Sequence, residues 1–174
     1  TARAYLTFEP DNLRARAFHL DHAGQAEDAA KAYRLAGEED LARFAFGEAQ
    51  KALERALDLM MVAPTIERVE IALALSQACH ATGDRVRQKS ALDEALAGTS
   101  PNDTYRLQTL LAAVQFATPI GKFTEVESQL EAALELARDL HDEARETESI
   151  ILFGKSDHII DVPSFAIRDL SVGN

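Results

Sequence analysis

Three stretches of this chain carry the same apolar ladder, each behind a glycine. Ala29, Tyr33 and Ala36 follow Gly24, while Leu92, Ala95 and Leu96 follow Gly83. Val126, Leu130, Ala133 and Leu134 follow Gly121. A fourth copy, Ala49, Leu53, Ala56 and Leu57, has Phe44 where the others have glycine. Side chains three and four apart share one face of a helix, so each ladder is the inner stripe of a short helix opened by a turn. One such helix cannot bury its stripe alone. Its recurrence predicts stacked helices rather than a globule around one centre.

The ladder also sets the period. Ala56 to Ala95 is 39 positions, Ala95 to Ala133 is 38, and Ala36 to Ala56 is only 20, so the first two units are compressed. Repeats built from helix pairs run from about 34 residues upward, longer loops taking the excess. A coiled coil is excluded because Gly and Pro interrupt the pattern at every hairpin, which no continuous heptad seam tolerates.

Turn and cap residues place the elements. Pro10 ends the opening segment and Asp11-Asn12 supply an N-cap. Helices are expected from Leu13 to Ala23 and from Gln25 to Ala36, stopping at Gly37. Glu38 to Ala45 and Glu48 to Met61 form the next pair. Pro64-Thr65 opens Ile66 to Thr82, and Gly83-Asp84 separates it from Arg85 to Ala97. Thr104 to Ala117, Phe123 to Leu140 and Asp142 to Phe153 complete the series. The expected class is all-α, with a lead-in over 1–12, a repeat domain over 13–154 and a non-repeat tail over 155–174.

The motif Gly24, Ala29, Tyr33, Ala36 resembles the second half of a tetratricopeptide (TPR) repeat, as do Gly121, Phe123, Leu130, Ala133, Leu134 and Leu136. Gln88 stands in the Gly83 unit where a small residue is expected. Leu13, Ala72 and Leu110 replace the family's large aromatic in the first halves. The resemblance covers roughly residues 13–153 and implies a right-handed α-solenoid of antiparallel hairpins. A narrower likeness runs from His22-Ala23-Gly24 through Ala36-Gly37-Glu38, Ala42, Phe44-Ala45 and Glu48-Ala49 to Leu53-Glu54-Arg55-Ala56-Leu57. It is similar to the helical-repeat region of large bacterial regulators, transcription activators and cyclase-like signalling proteins, which place such repeats after an ATPase module.

In such an array small residues admit a neighbouring helix and larger ones fill the gap. Ala29, Ala36, Ala49, Ala56, Ala95 and Ala133 take the first role; Tyr33, Leu53, Leu92 and Leu130 take the second. The family's groove positions transfer to Arg14, Phe18 and Asp21, to Glu70, Leu73, Gln77 and His80, and to Gln108, Leu111 and Gln115. The resemblance implies that these line a concave binding groove; the plainer alternative is that they are simply solvated. A carboxylate clamp of the kind that holds chaperone C-termini is disfavoured, since Phe18 stands where Asn would be needed.

The net charge of −11, from 29 acidic and 18 basic residues, repels nucleic-acid phosphate and anionic membrane. The longest apolar runs, such as Ile71 to Leu75, are too short to span a bilayer. Cys79 is the single cysteine, which excludes an internal disulfide framework and fits a reducing compartment; it lies among Leu75 and Ala78 as a small hydrophobe. Thr1-Ala2-Arg3-Ala4 has neither an initiator Met nor a signal peptide's apolar core, so an excised piece of a longer polypeptide, or one with a removed tag, is expected.

Catalytic signatures are weak. Gly154-Lys155-Ser156 ends like a phosphate loop, yet Ser149 stands where the required earlier glycine belongs. His19 and His22 with Asp21 lack a third metal ligand. Paired carboxylates such as Glu38-Glu39, and Glu143 with Glu146, read as solvated faces. In the tail, 158–162 and 165–167 are apolar segments split by Pro163, which either pack on the array, pair with another chain or begin a further region. The expectation is a cytoplasmic, non-catalytic interaction or sensing module, with no cofactor and no metal. It is read as the regulatory segment of a larger regulator or, alternatively, as a free-standing scaffold. Expected partners are a protein or peptide, other domains of its own parent chain, or a second copy in a homodimer.

Overall fold

The computed structural model describes residues 12–60, 65–118, 121 and 123–156. Among these there are eight helices and no strand. They are α1 (Leu13–His22), α2 (Ala26–Ala42), α3 (Phe46–Leu59), α4 (Ile66–Thr82), α5 (Arg85–Ala97), α6 (Thr104–Ala117), α7 (Phe123–Asp139) and α8 (Glu143–Ser156). The lead-in over 1–11 and the apolar tail segments at 158–162 and 165–167 lie outside the described residues.

Short polar side chains open most helices, at Asn12 and Thr65 as the sequence predicts. The Asn12 side chain accepts from the Ala15 amide at 3.0 Å and Thr65 accepts from Arg68 at 3.2 Å. Asp84, Asp103 and Asp142 accept from Arg87, Tyr105 and Arg145 at 3.0, 2.9 and 3.0 Å. The glycines that precede three ladders are left-handed, with φ of 72° at Gly24, 79° at Gly83 and 73° at Gly121. Phe44 takes the same conformation at φ 59°. It therefore holds the glycine position in geometry as well as in register.

One expectation is corrected. Gly37 does not stop a helix; α2 runs through it to Ala42, and the turn falls at Phe44. A Cβ added at Gly37 would stand 2.6 Å from Leu53 Cγ, so this glycine admits α3 instead of bending the chain. The separate helix expected over Glu38 to Ala45 is thus absorbed into α2. Smaller shifts follow elsewhere: α3 begins at Phe46 and ends at Leu59, and α8 continues to Ser156.

The chain divides into two compact units, Thr1–Thr99 and Ser100–Asn174. In the first, each of α1 to α4 packs on the next, and α2 also touches α4. Ala17, Leu20, Ala29 and Ala32 form a buried cluster there with Tyr33 and Leu59 against it. In the second unit, α7 packs on both α6 and α8. Val114, Ala117, Val126, Leu130 and Leu134 make its core, with Ile150 and Leu152 closing over them. Ala29, Ala49, Leu53, Ala56, Ala95, Leu130 and Ala133 are fully buried, Ala36 and Leu92 nearly so, and Tyr33 half-buried.

Candidate interaction surface

Polar contacts link alternate helices of the first unit, α1 with α3 and α5 in one row and α2 with α4 in the other, while Arg14–Asp40 and Arg68–Glu94 join neighbours across them. Arg14 of α1 pairs with Glu48 of α3 and with Asp40 of α2. Arg55 of α3 reaches back to α1 and donates from Nε and Nη2 to the two Asp21 oxygens, both at 2.7 Å. Gln50 of α3 donates to Asp84 at 3.0 Å, and Arg87 of α5 donates to Glu54 of α3 at 3.1 Å. The odd-numbered helices α1, α3 and α5 are thereby joined. On the other side, Arg34 of α2 pairs with Glu70 of α4 at 2.8 Å.

This layering separates residues that the sequence places in one groove. Arg14, Phe18 and Asp21 share a face of α1 in the odd row. Glu70, Leu73, Gln77 and His80 belong to α4, in the even row with α2. Because α2 runs through Gly37 there is one helix fewer between α1 and α4, and α4 pairs with α2 through Arg34 and Glu70. In the second unit, Gln115 is exposed and Gln108 half-buried on α6, whereas Leu111 is only 2% exposed and packs inward.

The α1 face has defined chemistry. Phe18 is about half exposed, and its ring lies 3.9 Å between centroids from that of His22. Ion pairs flank it on both sides, Arg14–Glu48 and Asp21–Arg55. The Arg55 hydrogen bonds hold the Asp21 carboxyl below the ordinary carboxylate range. Tyr33, hydrogen-bonded to the same carboxylate, has its phenol pushed up by burial and by the Asp21 charge. Glu48 is likewise held low by hydrogen bonds from Lys51 and Arg14. An aromatic anchor framed by satisfied charges is a common arrangement for holding an apolar side chain from a partner.

On α4, Glu70 is engaged by Arg34, Leu73 is half-buried, Gln77 is exposed, and His80 lies against Arg85 and Gln88 of α5. The sequence reading did not anticipate a cleft of about 420 Å³ floored by Ala26, Ala30, Leu59 and Met60 and rimmed by Glu27, Lys31, Thr65 and Glu67. None of the transferred groove positions lines it. Its only sequence signal is the apolar Leu59-Met60 pair at a helix end, which looks like ordinary core.

The buried Cys79 thiol is pushed up to about 11, chiefly by loss of solvation, so almost none is thiolate near neutrality. Gly154, Lys155 and Ser156 lie within α8, where the backbone has helical geometry and not that of a phosphate loop. His22 Nδ1 lies 3.0 Å from the Phe18 carbonyl, and Asp21 is occupied by Arg55. Among the described residues no group of three or more His, Cys, Asp or Glu is placed to hold a metal ion. No described helix is long and apolar enough to cross a membrane. Comparison of the chain with protein-family models and with curated proteins finds no match.

Proposed function

We propose that this chain is a non-catalytic protein-interaction module of tetratricopeptide type, serving as a regulatory segment of a larger bacterial signalling or transcriptional regulator. The supporting observation is the spacing of its cross-helix pairs. Arg14–Glu48, Asp21–Arg55 and Gln50–Asp84 are each 34 positions apart, and Glu54–Arg87 is 33 apart. A side chain thus meets its counterpart one helix pair further on, the relation that a stacked array of hairpins requires. The partner is a protein segment that sets an apolar side chain on Phe18 or hydrogen-bonds Gln77, both within the first unit. Binding would shift the parent between resting and active arrangements.

The test is affinity capture from native lysate with the unaltered chain and with Phe18→Glu and Gln77→Arg. The expected result is a partner captured by the unaltered chain and lost with at least one of these folded variants. Equal capture by all three chains would remove these surfaces from the function.

A further inference from the structure

The cleft between the first turns of α2 and α4, over the end of α3, has a construction that says what it would hold. Its floor is apolar because α2 presents only Ala26 and Ala30 there, side chains too short to close over Leu59 and Met60. Ile66, between the rim residues Thr65 and Glu67, is 60% exposed and adds apolar surface at the edge. A hollow of about 420 Å³ with such a floor is the kind of exposed apolar surface that marks an interaction site. The rim is not neutral. Lys31 is held by Glu27 at 2.8 Å, so its charge is spent locally. Glu67 meets Arg34 only at 3.8 Å, while the same guanidinium is committed to Glu38 at 2.7 Å and to Glu70 at 2.8 Å. One cation serving three carboxylates leaves this side of the cleft negative. The net charge of −11 attracts a cationic partner in the same sense from further away.

We propose that this cleft docks a basic amphipathic segment of a partner protein. One apolar side chain of the segment sits over Leu59 and Met60, and a lysine or arginine beside it reaches Glu67. The shape selects a segment over a small molecule. Sites for small ligands bury about 70–90% of the ligand surface, whereas this cleft is open to solvent along one side and covers only part of an occupant. A partner helix needs no more than that, since it inserts its apolar face and leaves the rest in water. The inference rests on the reading of the chain as an interaction module, and it adds a contact apart from Phe18 and Gln77.

The probe is a synthetic amphipathic peptide of leucine and lysine, with a leucine–glutamate peptide of the same pattern as control. Each is titrated calorimetrically into the intact chain at about 0.15 M salt. Ala26 is exposed at the first position of α2, so Ala26→Phe fills the cleft without crowding the core. Glu67→Lys reverses the rim charge. Asp93 is exposed on α5 and lines no part of the cleft, so Asp93→Lys makes the same change in net charge elsewhere. The leucine–lysine peptide should bind the unaltered chain, and Ala26→Phe and Glu67→Lys, each folded by circular dichroism, should weaken it about tenfold. Asp93→Lys should weaken it less than about threefold. Absence of binding, equal loss with Glu67→Lys and Asp93→Lys, undiminished binding to Ala26→Phe, or equal binding of the glutamate peptide would each overturn the proposal. Self-association in sedimentation that Ala26→Phe abolishes would give the cleft to a second copy and overturn it as well. A lysate partner still lost with Phe18→Glu or Gln77→Arg, in the absence of peptide binding, would refute the cleft alone and leave the interaction module standing.

Discussion

Two helical glycines look alike in the sequence and should behave oppositely when changed to alanine. Gly47 faces open space in α3, so Gly47→Ala gains helix propensity alone and should stabilise by about 0.5 kcal/mol. Gly37→Ala gains the same propensity but drives a Cβ to 2.6 Å from Cγ of the fully buried Leu53. Overpacking of this kind costs about 1–3 kcal/mol and outweighs the gain, so the variant should be destabilised. Urea midpoints of the two variants moving in the same direction would refute this. Phe44 gives a third case. It is 78% exposed at positive φ, where a side chain costs about 1–2 kcal/mol against glycine. Phe44→Gly should therefore raise stability by about 0.5–1 kcal/mol, measured the same way, and a loss would show that its edge contact with Phe46 matters more. The ladder's register put Phe44 at the glycine position, although the helix expected over Glu38 to Ala45 ran through it. Gly37 was not legible, because one letter serves both for a turn and for close approach, and only the partner helix distinguishes them.

At the scale of elements, Arg68 of α4 does what no cap residue in α3 does. Its guanidinium donates to the Leu57 carbonyl at 3.1 Å and to the Met60 carbonyl, and pairs with Glu94 of α5. Arg68→Ala leaves the C-terminal carbonyls of α3 and a half-buried carboxylate without these contacts, and should cost about 2 kcal/mol. A loss under about 0.5 kcal/mol would show that water replaces it. The Asp21–Arg55 pair is one source of acid response. Because Arg55 lowers the Asp21 carboxyl in the folded chain, the stabilisation is fully present above the unfolded carboxylate's ordinary value. It is lost as pH falls through the lower, folded value. Arg55→Ala should therefore be less stable near neutrality and should lose less than the unaltered chain as pH falls from about 6 to about 3, followed by urea unfolding. Parallel acid limbs would rule out the pair as a source of acid sensitivity. Helix starts could be read from Asn12 and Thr65, since capping acts within one turn. The pairs some 34 positions apart could not, because acidic and basic residues are too frequent for a partner to be chosen before the helices are placed.

At the scale of the whole molecule, the ladders announced successive helices and the small residues that admit them, and both follow from local periodicity. The division at Thr99 and Ser100 was not legible, since Ser100-Pro101-Asn102 resembles any other loop of the chain. Nor was the surface. With one helix fewer before α4, which pairs with α2, a groove carried over by register alone divides between two rows. Either row can present a face to a partner. Hydrogen exchange, resolved by peptide, on the chain alone and with its captured partner, decides between faces most directly. The account predicts slowed exchange concentrated in one row of the first unit, either α1 with α3 and α5 or α2 with α4. Protection spread evenly over both rows, or confined to the turns, would contradict it.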